Sequence, residues 1–328
     1  MPGLLDPFMI AVGFVIGVLS GFFGFGGGFI LTPLLISLGF PANISVGTSI
    51  MEIFISSLVA SIRHRSLGNV DAKVGLVVAS TSILGAESGA QVIERLKMIG
   101  VQYMNSTVSL IYILVLSLTS TCIIRENLFL KMRDYRRNMP LLYKFNELKI
   151  PPLIAIPRSK REKISVWVII LIGFISGLSA GFLGAGGGFI LIPLLIYVIG
   201  YKPPIAAGTC VFCVLLNSIY ASLTHAIKGN INLILATLIF VGSLIGMQIG
   251  IAALKYVKEV NFKLLLGLCL SFVSLGMLVG FLSEPLGLSS LSLLSPIITF
   301  ISVLTVALFI SVDLLKERRK NKKTIKDH

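Results

Sequence analysis

The sequence predicts an all-α polytopic membrane protein built from two inverted repeats. Each repeat is a glycine-broken helix pair followed by three transmembrane helices, and one extra helix follows the second repeat. Three observations predict this. First, 55% of the 328 residues are hydrophobic and only 13% are charged, against about 25% charged in a typical soluble domain. The mean hydropathy is +0.96. The apolar residues come in blocks such as VWVIILIGFISGLSAGFLG and LSPIITFISVLTVALFISV, and several reach the roughly 20 residues needed to cross a hydrocarbon core about 30 Å thick. The alternating segments of about 10 residues that a membrane β-barrel needs do not occur. Second, GFFGFGGGFILTPLL at 21–35 returns as GFLGAGGGFILIPLL at 181–195, with 12 of 15 positions identical. Third, basic residues gather in two places: eleven Lys or Arg against four acids over 125–163, and the tail KERRKNKKTIKDH.

Taken in chain order, the first repeat covers 6–124. Its broken pair is expected at about 7–23 and 28–40, with fuller spans at about 44–63, 74–94 and 99–124. Residues 125–163 read as a basic cytoplasmic loop. The second repeat, 164–283, has its broken pair at about 164–182 and 186–201, and spans at about 204–226, 231–254 and 261–283. The offset between repeats is 160 through the glycine block and 161 after a one-residue insertion. Gly47-Thr48 therefore matches Gly208-Thr209, His64 matches His225, and Gly85 and Gly89 match Gly246 and Gly250. An extra span at 292–314 has no counterpart, and 315–328 reads as a basic cytoplasmic tail.

Inversion follows from counting crossings. If each broken pair enters and returns, a half makes an odd net number of crossings, and the second half is upside down relative to the first. Placing the 125–163 loop inside then brings RHRSLGNVDAK, Lys255, Lys258, Lys263 and the tail inside as well, as the positive-inside rule requires. If each pair were one long helix, the two basic regions would fall on opposite sides. The same distribution explains the net charge of +14 as juxtamembrane anchoring and removes nucleic acid as an expected partner.

An unpaired backbone amide in hydrocarbon costs several kcal/mol, so a glycine triplet in a membrane helix needs something polar facing it. Gly26, Gly27 and Gly28, with Gly186, Gly187 and Gly188, bring backbone N–H groups close to a ligand without Cβ obstruction. Each triplet opens a helix whose first-turn amides and positive dipole end face the break. That arrangement suits a small anion; a tight turn between packed helices is the plainer alternative. Gly13, Gly17 and Gly21, with Gly173, Gly177 and Gly181, form small-residue stripes for close helix packing. A phosphate-cradling P-loop is excluded, since no Gly-Lys-Ser/Thr follows. The four cysteines lie within apolar spans and read as packing residues, Cys210 and Cys213 included. No metal or cofactor site is expected.

Thr48, Glu52 and Ser56 are spaced four apart and share a helix face, as do their matches Thr209, Cys213 and Asn217. An ionisable group at membrane depth is a functional hypothesis by default. Glu52 reads as a proton carrier or as a protonated carboxyl hydrogen-bonded within the bundle. Glu87 is matched by Gln248, an acid opposite a neutral analogue, and is a second candidate for proton coupling. Thr48, Ser49, Thr209 and Asn217 join the glycine triplets as candidate substrate-binding residues. Arg63, His64 and His225 stand at span ends, as an anion-attracting mouth or as snorkelling and capping groups.

GFGGGFILTPLL, the following VGTS, and RHRSLGNVD beyond it resemble the sulfite exporter TauE/SafE family. Its members are membrane transporters associated with export or uptake of small sulfur-containing anions, such as sulfite and organosulfonates. The resemblance covers both halves. With the inverted repeats, it implies a secondary transporter of such an anion and no enzyme, working by alternating access, with Glu52 or Glu87 coupling movement to protons. An anion channel, or a non-transporting membrane enzyme or assembly subunit, is the alternative. The partners implied are a small anion and the lipid bilayer, with a homo-oligomer left open. The sequence departs from the family in its long basic central loop and lone terminal span. AGTC replaces VGTS in the second half, and HAIKGNIN replaces HRSLGNVD.

Overall fold

The computed structural model describes residues 2–129, 150–159, 163–286 and 289–326. The most basic part of the 125–163 loop and the end of the tail lie outside these residues. The helices of the first half are α1 (Pro2–Phe23), α2 (Gly28–Ser37), α3 (Ala42–Ser66), α4 (Ala72–Ile99) and α5 (Val101–Phe129). A short hairpin of β1 (Leu153–Ala155) and β2 (Lys163–Ser165) precedes α6 (Val166–Leu183) and α7 (Gly188–Leu194). Helix α7 runs straight into a π-helical turn, Leu195–Ile199. Then come α8 (Pro203–Ile227), α9 (Leu233–Leu254), α10 (Glu259–Leu286) and α11 (Ser289–Lys326). Among the described residues nine helices are long and apolar enough to cross a membrane, so the chain is an all-α multi-pass membrane protein. The two apolar helices too short to do so carry the duplicated segment. Ten residues at about 1.5 Å each reach only about half of a hydrocarbon core.

Several boundaries differ from the sequence expectation. Helix α2 stops at Ser37 rather than near 40, because Gly39 turns the chain with φ of 91°. Helix α11 reaches Lys326, with its apolar span at Leu294–Val312. The hairpin was not anticipated: three-residue strands are too short to leave a period. It pairs Leu153 with Ser165 and Ala155 with Lys163. Just beyond β1, Arg158 Nη1 donates to the carbonyls of Gly68 and Val70, both at 3.0 Å, and ties this segment to the α3–α4 loop.

The glycine stripes pack across the halves, not within them. Helix α1 runs parallel to α9, with Gly13, Gly17 and Gly21 against the backbone of Ile239, Ser243 and Met247. Helix α6 runs parallel to α4 in the same way, with Gly173, Gly177 and Gly181 against Val78, Ser82 and Ala86. A Cβ at any of these six positions would collide with the facing main chain, so only glycine permits the approach. Helices α3 and α8 cross antiparallel: Gly47 abuts Asn230 in the loop after α8, and Gly208 abuts Asn69 in the loop after α3. Helices α5 and α10 are also antiparallel, joined by Ser117 to Ser274 at 2.7 Å and by Ser120 to the Gly267 carbonyl at 2.9 Å. These helix pairings thus match between the two halves. Helix α11 lies over α10 and touches α1, α2 and α9.

Candidate functional site

The two glycine breaks meet where α3 and α8 cross. Gly27 and Gly187, the residues just before α2 and α7, have φ of 83° and 73°, a region that costs other L-residues about 1–2 kcal/mol. Neither helix has a side-chain cap, and amides ahead of the first i→i−4 bond have no partner within their own helix; in α2, Ile30 N closes on the Gly27 carbonyl at 3.1 Å. Residues 21–35 and 181–189 are all buried, so these donors are shielded from water. The breaks touch each other: a Cβ on Gly28 would lie 2.6 Å from the Gly184 carbonyl, and one on Gly188 would lie 2.7 Å from the Phe25 carbonyl. Thr32 Oγ1 donates to the Gly184 carbonyl at 3.2 Å. Gly26 and Gly186 both face the same two side chains, Ile53 of α3 and Val214 of α8. Those side chains fill the space between the turns, so the conformation described is closed around the breaks.

Val46 and Ile53 put one face of α3 against the breaks, and Ser49, three residues after one and four before the other, shares that face. Its hydroxyl is fully buried and has no hydrogen-bond partner. The matching residue of α8, Cys210, places Sγ 3.6 Å from the Gly188 carbonyl. One helical turn beyond Cys213, Asn217 carries a buried Oδ1 that is likewise unpartnered. Glu52 Oε1 accepts a hydrogen bond from Ser243 of α9 at 2.8 Å, and Oε2 is buried without a partner. Cys213 Sγ donates to the Gly75 carbonyl at 3.4 Å. The uncapped N-termini of α2 and α7 and the Ser49 hydroxyl can donate hydrogen bonds at the breaks, which suits an oxyanion.

Other expected site residues are placed elsewhere. Thr48 and Thr209 accept backbone N–H bonds from Asn232 and Asp71, each at 3.0 Å. Each threonine therefore anchors the loop that follows the opposite half's helix. Glu87 is half-buried on α4 and accepts from Gln91 and Tyr220, both at 2.8 Å; neither partner belongs to the breaks. Arg63 is exposed at the end of α3, whereas His64 and His225 are 0% exposed. Their Nδ1 atoms lie 3.5 Å from the side-chain nitrogens of Asn69 and Asn230, so both rings face protein, not an open mouth.

Two polar clusters were not read from the sequence. Asn230 accepts from Asn43 at 2.8 Å and donates to Glu94 at 2.9 Å. Tyr201 donates to Asp71 Oδ2 at 2.8 Å, and burial with that carboxylate beside it pushes the phenol above its ordinary pKa. The repeated Gly-Asn of 68–69 and 229–230 was the available signal, but not its partners. Among the described residues, no group of three or more His, Cys, Asp or Glu is placed to hold a metal ion.

Comparison with known proteins adds a family. The family model "Sulfite exporter TauE/SafE" matches residues 9–277. The probable membrane transporter protein YunE of Bacillus subtilis is 23% identical over 258 residues, 74% of this chain and 86% of that protein. The probable membrane transporter protein YjnA of the same organism is 28% identical over 244 residues, 74% and 87% of the two chains. Sulfite exporter TauE/SafE family protein 5 of Arabidopsis thaliana is 28% identical over 85 residues, 26% of this chain and 19% of that protein. No solved structure matches the chain.

Proposed function

From its membership of the sulfite exporter TauE/SafE family, to which the chain belongs over residues 9–277, we propose that the protein is a proton-coupled secondary transporter of a small sulfur-containing anion. The family is one of membrane transporters, not enzymes. Sulfite or an organosulfonate is the substrate, and alternating access between two inverted repeats is the mechanism. The observation that carries this reading is the meeting of two matched glycine breaks, with shielded first-turn amides and the unpartnered Ser49 hydroxyl, at the antiparallel crossing of α3 and α8.

In this reading the amides around Gly26, Gly27 and Gly28, and around Gly186, Gly187 and Gly188, take the anion's oxygens. Ser49 adds a hydroxyl donor from α3, and Asn217 adds its carboxamide from α8. Thr48 and Thr209 hold the crossing in register through the backbone bonds they accept. Glu52 carries the coupled proton: its carboxyl sits one turn from Ser49, and a charge there without a partner would cost at least about 3 kcal/mol. Glu87 is the lesser candidate, because its bonds are made away from the breaks. Ile53 and Val214 part to admit the anion. The repeats are 6–124 and 164–283, and the basic 125–163 loop and C-terminal tail lie in the cytoplasm, as charge distribution supports.

The test is flux of labelled sulfite and methanesulfonate into proteoliposomes, with and without an inward pH gradient, and with sulfate and acetate as control anions. Saturable, gradient-driven flux that exchanges against unlabelled substrate is expected. Flux without saturation or exchange would establish a channel, and no flux of any anion from folded protein would end the transport reading.

A further inference from the structure

We propose that the adjoining ends of α3 and α9 form a second anion site, separate from the glycine breaks, that binds a tetrahedral oxyanion of the phosphate class. A cavity of about 120 Å³ lies there, lined by Arg63 of α3 and Leu67 just after it, and by Gln248, Ile251, Lys255 and Tyr256 from α9 and the turn after it. That volume is well below the roughly 300 Å³ of an ordinary small-molecule pocket, so the cavity takes one tetrahedral group and not a nucleotide. Its polar lining is a guanidinium, an ammonium, a carboxamide and a phenol. All four can donate hydrogen bonds and two are cations, which favours an anionic ligand rich in acceptors. Arg63 offers the bidentate fork and Lys255 the point charge.

The charge in this cavity is not compensated by the protein. Among the described residues the ion pairs are Lys97 with Glu94 and Lys263 with Glu259, and neither involves Arg63 or Lys255. Both cations end their helices, where the negative end of the dipole favours them. That accounts for a cation on each helix, but not for two converging on one cavity. The opposite end of the bundle is the control. At offset 161 the residues matching Arg63, Gln248, Lys255 and Tyr256 are Thr224, Glu87, Glu94 and Arg95, and Lys228 matches Leu67. There Glu94 accepts from Asn230 and lies 3.9 Å from Lys97, and Glu87 accepts from Tyr220 and Gln91. Two carboxylates thus stand where the α3–α9 end has Gln248 and Lys255, so the fold does not demand a cation at the Lys255 position. An anion held between Arg63 and Lys255 relieves their mutual repulsion. A phospholipid headgroup or a free oxyanion supplies that chemistry.

The experiment reads binding and not transport, so its failure is distinct from failure of the transport reading. Full-length protein in a maltoside detergent is titrated with inorganic phosphate at constant ionic strength. Separate titrations use short-chain phosphatidylglycerol and, as the zwitterionic control, short-chain phosphatidylcholine. Melting temperature is followed for the wild type, R63Q/K255Q, R63K, and K228Q at the opposite end. A saturable rise with phosphate or phosphatidylglycerol is expected, with apparent affinity at least tenfold weaker in R63Q/K255Q and unchanged in K228Q. A response to phosphate identifies a free oxyanion as sufficient, and a response to phosphatidylglycerol alone identifies the lipid headgroup. R63K, which keeps the charge but loses the fork, falls between wild type and the double variant and serves if the latter does not fold. No saturable response to either ligand, or an equal one in R63Q/K255Q, overturns the site.

Discussion

The two returning helices leave their glycine breaks alike and finish differently. Helix α2 ends at Ser37, and beyond it opens a cavity of about 350 Å³ lined by Ser37, Phe40, Asn105, Met277, Ser283 and Ser295 among others. At offset 160 the match of Ser37 is Tyr197, which lies in the π-helical turn Leu195–Ile199. The Lys263 ammonium sits 4.6 Å from the centre of the Tyr197 ring and 3.1 Å from the Glu259 carboxylate. Asn105 and Lys263 are each the fifth residue of their helix, α5 and α10. Where the first half leaves a hydroxyl-lined cavity, the second half places an aromatic ring and an ion pair. Near-identical breaks therefore lead to ends with different linings. In a protein of two matched halves, the residues that differ at matched positions set how each end is lined, and the shared residues set what lies between. A single π turn inserted at such a place is a common mark of functional adjustment.

The largest expected effect compares the halves at the break itself. Gly27 and Gly187 have nearly the same φ, but a Cβ on Gly27 meets Ile16 Cγ2, a side-chain methyl. A Cβ on Gly187 meets the Ser176 carbonyl. Both alanine variants incur the left-handed cost of about 1–2 kcal/mol, and Gly187→Ala must also move main chain. Gly187→Ala is expected to lose folded protein in detergent melting experiments, whereas Gly27→Ala folds with a lowered midpoint. Equal midpoints would show that both sides of the break yield equally. The next effect concerns the end that holds the Tyr197 ring. Tyr197→Ser removes a buried ring and is expected to cost about 3–5 kcal/mol, in the range of aromatic truncations. In proteoliposomes it should raise substrate leak, and the reciprocal Ser37→Tyr should slow flux by filling the open cavity. If both variants shift flux in the same direction, the ends do not act as opposites.

Much of this architecture was legible because its signals are local. Span length, the glycine triplets and their matched copy need only the chain's own order. The glycine stripes were legible as packing surfaces but not as to partner: spacing says that a small face meets something closely, and only the fold says that α1 meets α9 and α4 meets α6. Thr48 illustrates the same limit. Its spacing places it with Glu52, yet its hydroxyl accepts the amide of Asn232, 184 residues away. His64 and His225 were read at span ends as a mouth or as snorkelling and capping groups, and loops returning after α3 and α8 enclose both rings. The π turn had no signal, since a residue's helical preference does not separate i→i+4 from i→i+5 bonding.

The smallest structural effect carries the sharpest functional contrast. Glu52 and its match Cys213 occupy the same place in α3 and α8, so only the first half holds a carboxyl at that depth. Ser243 donates to Glu52 Oε1, and a glutamine in its place keeps an acceptor for that hydroxyl. Glu52→Gln is therefore expected to change stability by less than about 1.5 kcal/mol, the net worth of one hydrogen bond. If Glu52 carries the coupled proton, the variant retains downhill anion flux and substrate exchange but loses acceleration by a pH gradient. Cys213→Ser, which alters the matched position without touching a carboxyl, should leave that acceleration intact. Acceleration that survives in Glu52→Gln would move the coupling group to Glu87, and with it away from the breaks and out to the hydrogen bond that Tyr220 donates to Glu87.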